Sequence, residues 1–346
     1  MSILNTLPLE SNRQIKMNFD GGDLSSDAGL LLIKEFICKL GFVKLLKSVF
    51  KTNDTALRYH KDDENLWQVI YQILGAYFED DCADELIHDP VLTAILDKRA
   101  LASQPTLSRF FNRMDETTLD QFYVLMRRFR KVVYAIKKPR LLLLDLDSTL
   151  LDTYGHQEGE GFNFHYQSHG YHPLVCYDGM TGDLLKIELR NGTNYSSTGV
   201  VEFLQPLLDE FLTDYPDLPL LLRGDSGFAK PELYDQCETN GVSYVIRLKE
   251  NSTLRALASD IDECLTEATR NDMVSYAVCY GEFMYQAGSW KYPRRVVCKV
   301  EKPTDQLIHM YTFIVTNMDS APEELIRFYC KRGSMENFIK ESKNGF

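Results

Sequence analysis

No Cys-x-x-Cys pair, no internal repeat, no low-complexity tract and no surplus of positive charge occur in this chain. Its eight cysteines are scattered, which speaks against a thiolate zinc site or a disulfide framework and fits reduced, mostly buried thiols. No apolar run reaches the roughly eighteen residues of a membrane span, and the opening "MSILNTLPLESNRQIKMNF" has no stretch apolar enough for a signal peptide. A cytoplasmic chain with no membrane partner is the expectation. The formal net charge of -12 excludes a uniformly basic surface of the kind that coats nucleic acid, because neutralising phosphate takes Lys and Arg. Charge is uneven, however: "RRFRKVVYAIKKPR" (127–140) and "KYPRRVVCK" (291–299) are basic, whereas "YFEDDCADELIHD" (77–89) is acidic. Local patches stay open.

With 346 residues, 44% of them hydrophobic, the chain can bury a large core, as two domains or as one with an insertion. From about 25 to 134 apolar residues recur at three and four, as in "SSDAGLLLIKEFICKLGFVKLLKSVF" and "ENLWQVIYQILGAYF". Residues 1–139 therefore read as an all-α N-terminal domain. Within it, "SQPTLSRFFNRMD" (103–115) opens a capped helix that carries Thr106, Ser108, Arg109 and Arg113 near its first two turns; a recognition helix and an ordinary bundle helix share that layout. From residue 140 to 346 the character is α/β. "PRLLLLDLDSTL" reads as a buried strand and "HPLVCYDGMTGDLLKIELR" as two strands around a Gly-containing turn. A helix, the strand "LPLLLRGDSGF", a second helix and the strand "VSYVIRLKE" follow. Residues of about 250–309, rich in aromatic and β-branched types, suggest a β-rich insertion before the last strand "MYTFIVTN" and a closing helix.

Ser320, Pro322 and Glu323 mark the start of that closing helix as a capping box. At about 100° per residue, Tyr329, Arg332, Glu336 and Lys343 share a stripe roughly 60° wide, beside the apolar Leu325, Phe328, Met335 and Ile339. A polar stripe at the edge of a core suits a site as well as a solvated face. Two buried-strand runs end in carboxylates: Asp145 and Asp147 after the leucines 141–144, and Asp225 after the leucines 220–222. Charges at strand carboxyl ends stand where open α/β sheets bind ligands, the alternative being an Asp that caps the turn beyond its strand. With Glu336 from the helix, three oxygen donors suit Mg²⁺ or Mn²⁺. Two such ions can activate a water and stabilise the leaving oxygen of a phosphodiester. Asp145 and Asp147 share one strand face, so spacing leaves open which of them is the first donor.

The order "DLDST", "GDSGF" and Tyr-x2-Arg-x3-Glu-x6-Lys resembles the bacterial insertion-sequence transposases of the cut-and-paste DDE superfamily with a Tyr-Arg-Glu-Lys signature. The likeness covers roughly 140–346, and the helical region with "SQPTLSRF" is similar to the DNA-end-binding part of the same proteins. It implies an α/β ribonuclease-H-like catalytic core with a β-rich insertion, preceded by the all-α domain. Asp147, Asp225 and Glu336 would be the catalytic, metal-holding triad, with two Mg²⁺ or Mn²⁺ ions. Tyr329 and Arg332 would contact phosphate at the cleaved strand and Lys343 a neighbouring one, while Arg109 would touch end DNA. Double-stranded DNA, as transposon ends and as target, is the implied partner, and cutting two ends implies a homodimer. A hairpin end is among the strand-cleavage routes left open. The family usually continues beyond the position of Phe346 with further helices, so a truncated C-terminus is expected, and with it a DNA-binding remnant that no longer cuts is the first alternative.

Other chemistry competes at single motifs. "LLLLDLDSTL" also resembles the first motif of haloacid-dehalogenase-type phosphatases, in which Asp145 would be the nucleophile and Asp147 the acid/base. Trp290, beside Lys291 and Arg294, is a candidate for stacking on a displaced base or a core tryptophan. "GHQEGEGFNFHYQSHGYHP" gathers His156, His165, His169 and His172 with Glu158 and Glu160. It lacks a helical His-x3-His pair with a third ligand and Gly interrupts it repeatedly, so a polar loop is expected rather than a Zn²⁺ site, with DNA contact as its functional reading.

Overall fold

The computed structural model describes residues 6–344 apart from 20, 23, 271–275, 305 and 307. The chain end at Phe346 and the first residues of the expected insertion's aromatic stretch, 273–275, lie outside them. Two compact units result, one holding the chain up to Lys138 together with the residues from Ser342 on, the other Pro139–Glu341.

The first unit opens with an antiparallel hairpin, β1 (Thr6–Pro8) and β2 (Lys16–Asn18). Strands of three residues leave no period to read, which is why only helices were expected here. The helices are α1 (Leu30–Lys39), α2 (Phe42–Val49), α3 (Asp62–Leu74), α4 (Cys82–Glu85), α5 (Pro90–Leu96), α6 (Gln104–Phe111) and α7 (Glu116–Ile136). Gly41, at φ 74°, divides α1 from α2, a left-handed step that glycine takes without steric cost. Leu30, Leu31, Ile37, Leu46, Phe50, Trp67 and Phe110 belong to one core, the apolar stripes of successive helices turned together.

In the second unit come β3 (Leu142–Ser148), β4 (Leu151–Asp152), β5 (Gly161–Asn163), β6 (Ser168–Tyr171), β7 (Leu174–Asp178) and β8 (Leu184–Glu188). After them stand α8 (Val200–Asp214), β9 (Leu220–Gly224), α9 (Pro231–Thr239), β10 (Ser243–Leu248), α10 (Ser252–Leu257) and α11 (Ser259–Ala268). Last are β11 (Ala277–Tyr285), β12 (Arg294–Lys302), β13 (Met310–Thr316), α12 (Pro322–Cys330) and α13 (Gly333–Asn344). Among the described residues an eight-stranded sheet runs in the order β11-β12-β13-β10-β9-β3-β7-β8. Its centre, β3, β9 and β10, is parallel, and its flanks are antiparallel. β4, β6 and β5 make a separate three-stranded sheet.

Helices cover both faces of the large sheet. On one, Tyr234 of α9 stacks on Tyr244 of β10 with centroids 5.3 Å apart. On the other, Leu325, Ile326 and Tyr329 of α12 pack on Val245, Val297 and Ile314, and Met335 of α13 packs on Val175 and Tyr177. This double cover explains the near-continuous leucine run of β3.

Residues 250–309 differ from the expected insertion in two ways. They begin with helices α10 and α11, the first capped by Asn251, whose Oδ1 accepts from Leu254 N at 2.9 Å. Leu254, Leu257, Ile261 and Leu265 carry the helical period that the aromatic-rich strands beyond them obscure. β11 and β12 then extend the main sheet, with α11 so close that a Cβ on Gly281 would stand 2.4 Å from Ile261 Cδ1. The closing helix also differs. Its N-cap is Ala321, not Ser320, and it breaks after Cys330: Lys331 and Arg332 donate backbone N–H bonds to Phe328 O and Tyr329 O at 3.2 and 2.9 Å, tight turns ahead of the poor helix former Gly333. Tyr329 and Glu336 thus belong to two helices. Among the described residues no helix is long and apolar enough to cross a membrane.

Candidate active site

β3 and β9 lie side by side in parallel, with Asp145 abreast of Arg223. Two residues further along each come Asp147 and Asp225, so register brings the two acids to one carboxyl edge of the sheet. Asp225 caps a short 3-10 turn, Ser226–Phe228, its Oδ1 accepting from Gly227 N at 2.8 Å. Capping a turn and lining a site are therefore not alternatives for this residue. Asp147 and Asp225 both line a cavity of about 440 Å³.

Asp145 has a different role. It is 0% exposed, and Arg223, buried in turn, donates Nε and Nη2 to its two oxygens at 2.6 and 2.5 Å. Burial pushes the Asp145 carboxyl up, against the pull of Arg223. Arg223 Nη1 also donates to Phe328 O at 3.1 Å, tying α12 to the sheet. A phosphatase nucleophile needs an open oxygen, and neither oxygen of Asp145 is open. The expectation of a phosphatase using Asp145 and Asp147 is corrected on that ground.

Burial pushes the Asp147 carboxyl up to about 6; Arg332 and the Ser148 N–H oppose this, while the charges of Asp225 and Glu336 add to it. Asp225 and Glu336 are thus each in electrostatic reach of Asp147. Arg332 Nη2 lies 2.8 Å from Asp147 Oδ2, and its Nε is buried with no hydrogen-bond partner among the described residues. Glu336 is exposed in the first turn of α13. Tyr329 is buried in the α12 packing core, with its phenol held up by that burial. Lys343 is exposed in the last turn of α13, in the stretch that belongs with the first unit.

The model of the family Transposase DDE domain group 1 matches residues 7–346. The chain belongs to this family. The large mixed sheet with helices on both faces fits a ribonuclease-H-like core. A comparison with curated proteins returned no match. Among solved structures this DDE domain is similar to a piggyBac transposase synaptic complex with hairpin DNA, at 12% identity and a TM-score of 0.42, over 86% of this chain. It spans 62% of that piggyBac chain. It is also similar to the Mos1 mariner paired-end complex with Mn, at 11% identity and a TM-score of 0.23, over 64% of this chain and 78% of the other. For a Mos1 transposase paired-end complex with the left transposon end, the values are 12%, 0.22, 72% and 76%.

Elsewhere in the DDE domain, Trp290 is 7% exposed. Tyr234 and Tyr285 meet its ring edge-on at 5.3 Å each, and the Arg294 guanidinium lies 5.5 Å away. Trp290 is a core residue, and the expectation that it stacks on a base is corrected. Arg109 is exposed on α6, with Nη2 3.3 Å from Thr106 Oγ1, and lines a cavity of about 160 Å³ with Arg58, Tyr59 and His60. Arg113 is tied to Asp62 at 2.6 Å. Of the histidines, His169 Nδ1 pairs with Glu160 Oε2 at 2.8 Å, while His165 and His172 line the cavity of Asp147 and Asp225. Spacing in the chain carried no signal for that placement.

Among the described residues no three His, Cys, Asp or Glu side chains converge as a metal cluster. The donor chemistry nevertheless fits a hard divalent cation: Mg²⁺ takes one or two carboxylates and keeps several waters, and two carboxylates face one cavity. Without an ion, Arg332 is the counter-charge on Asp147.

Proposed function

We propose that the chain is an insertion-sequence transposase that cuts phosphodiesters at the ends of its element and joins the freed 3′-hydroxyl to another strand. The observation that carries this is the placement of Asp147 and Asp225 abreast on one cavity, with Arg332 on Asp147 and Glu336 close by. Asp147, Asp225 and Glu336 would hold two Mg²⁺ or Mn²⁺ ions. When bound, such ions lower the pKa of a water and stabilise the attacking and leaving oxygens. Asp147 and Asp225 orient that centre at the sheet edge, and the Asp145–Arg223 pair beneath them holds the two strands and α12 in place. Arg332 turns its fork to a non-bridging phosphate oxygen, where a charge-assisted hydrogen bond follows the charge of the transition state. Tyr329 braces Arg332, and Lys343 meets a neighbouring phosphate. The first unit binds double-stranded end DNA through Arg109, and two copies join two ends, in a bacterial cytoplasm.

The test is strand cleavage of DNA carrying the ends that flank this reading frame, with Mg²⁺ or Mn²⁺. Wild type should nick it, while Asp147→Asn, Asp225→Asn and Glu336→Gln should bind it without nicking. Retained cutting in a variant removes that residue from the triad. Binding without nicking by wild type itself would make the chain a DNA-binding remnant.

A further inference from the structure

The eight cysteines, scattered along the chain, include two that the fold brings together. Cys264 lies on α11 and Cys279 on β11, fifteen positions apart, and Cys279 Sγ donates to Cys264 Sγ at 3.3 Å. Other contacts hold the two elements at that separation. His309 Nδ1 and Tyr311 Oη both lie 2.7 Å from Asp262 Oδ1, which fastens α11 to the start of β13, and Leu265 of α11 is fully buried. On the strand side Gly281 lets the helix come close, since a Cβ there would meet Ile261 Cδ1 at 2.4 Å. Ile261 and Cys264 are neighbours on one helix face, and Cys279 and Gly281 share one strand face. The thiols therefore meet one step along from the closest approach of helix and strand.

The two sulfurs are unequal. Cys264 is exposed and Cys279 half-buried. Burial, with the hydrogen bond to Cys264 and its charge, pushes the Cys279 thiol up to about 11, so Cys279 keeps its proton. Thiolate, not thiol, is the nucleophile, which makes the solvent-facing Cys264 the sulfur that attacks and Cys279 the one that resolves. Once Cys264 is itself bonded to another sulfur, neither its charge nor its lone pair holds the Cys279 proton any longer. From 3.3 Å the pair needs side-chain rotation rather than backbone movement to reach the roughly 2.05 Å of a disulfide bond.

We propose that Cys264 and Cys279 form a redox-responsive clasp, a modification site that a small disulfide such as oxidised glutathione closes. Cys264 thiolate attacks one sulfur of the small disulfide; a bond forms between them, and the other sulfur leaves as a thiolate. Cys279 then gives its proton to solvent and attacks Cys264 Sγ, releasing the second thiolate. Two protein thiols are oxidised to one disulfide while the small disulfide is reduced to two thiols, so atoms and electrons balance. The closed clasp ties α11 to β11, the strand at one end of the large sheet, with β12, β13 and β10 between it and β9. It is separate from Asp147 and Asp225, and the inference stands apart from the function proposed above. Closing a loop across fifteen positions removes freedom from the unfolded chain, so the oxidised protein is the more stable form.

The full chain is treated with oxidised glutathione, remaining thiols are alkylated, and the peptides are mapped by mass without reduction. Wild type should lose both thiols to a Cys264–Cys279 cross-link, lighter than the reduced pair by its two hydrogens. Cys279→Ser should keep glutathione on Cys264, whereas Cys264→Ser should leave Cys279 a thiol. The urea midpoint of oxidised wild type should rise above that of the reduced protein, a rise that Cys264→Ser lacks. Glutathione left on Cys264 in wild type, a covalent dimer through Cys264, or both thiols untouched would each overturn the pair. Loss of the Cys279 thiol in Cys264→Ser overturns Cys264 as the attacking sulfur, and a cross-link that leaves the midpoint unchanged overturns the clasp.

Discussion

Asp145 and Asp147, two residues apart on one strand face, have different fates because Arg223 meets the first and a cavity meets the second. A charge inside a leucine run needs a partner, and "LLLRGD" displays Arg223 two residues before Asp225 just as Asp145 precedes Asp147. That Asp145 needs a partner follows from the sequence; which residue supplies it, and which of the two acids faces the cavity, does not. Arg223→Met leaves Asp145 buried without its partner and should cost about 3–5 kcal/mol in urea unfolding, most of it recovered when Asp145→Leu is added. Arg332 competes with any cation for Asp147 Oδ2. Calorimetry on Arg332→Ala without DNA should therefore show tighter Mn²⁺ binding than wild type; weaker binding would make Arg332 a prop that shapes Asp147 for the ion. In the nicking assay the same variant should lose more cleavage than DNA binding, and an equal loss of both would make it a scaffold residue.

At the scale of elements, a continuous helix through 329–343 was expected from angular arithmetic, which assumes an unbroken rod. The break after Cys330 alters what the stripe means. Arg332 sits in the junction, free of a helix face and able to reach Asp147, while Glu336 starts a new helix whose apolar side lies on β7. Helix α10 leaves no trace in composition for a related reason: a capped six-residue helix disappears among the aromatic and β-branched residues of 250–309. Asn251→Ala removes its cap and should lower stability by about 1 kcal/mol, read from urea melts. A loss near zero would show that the contacts of α11 with β11 hold the segment without the cap.

Over the whole molecule, stability in acid is set in part where α9 meets β12. Glu238 accepts hydrogen bonds from Tyr244 and Arg294, both at 2.8 Å. Burial pushes its carboxyl up, but the bonds from Arg294, Tyr292 and Tyr244 outweigh it and hold the group below the ordinary 4.5. The folded protein then binds fewer protons than the unfolded chain, so the stabilisation is complete above about 4.5 and is lost as pH falls through the folded value. Glu238→Gln should melt at a lower temperature than wild type at pH 7, with the gap closing as pH is lowered below 4.5. A gap that persists unchanged would assign the loss to packing. The helical stretch before Lys138, the buried strands and their terminal acids are local or periodic properties, and chain order alone carries them. Which aspartate faces a cavity, where the last helix breaks, and that the histidine loop walls the acidic centre were decided by contacts between distant residues. Arg223 and Asp145 are 78 positions apart, and no spacing rule within a single element reaches that far.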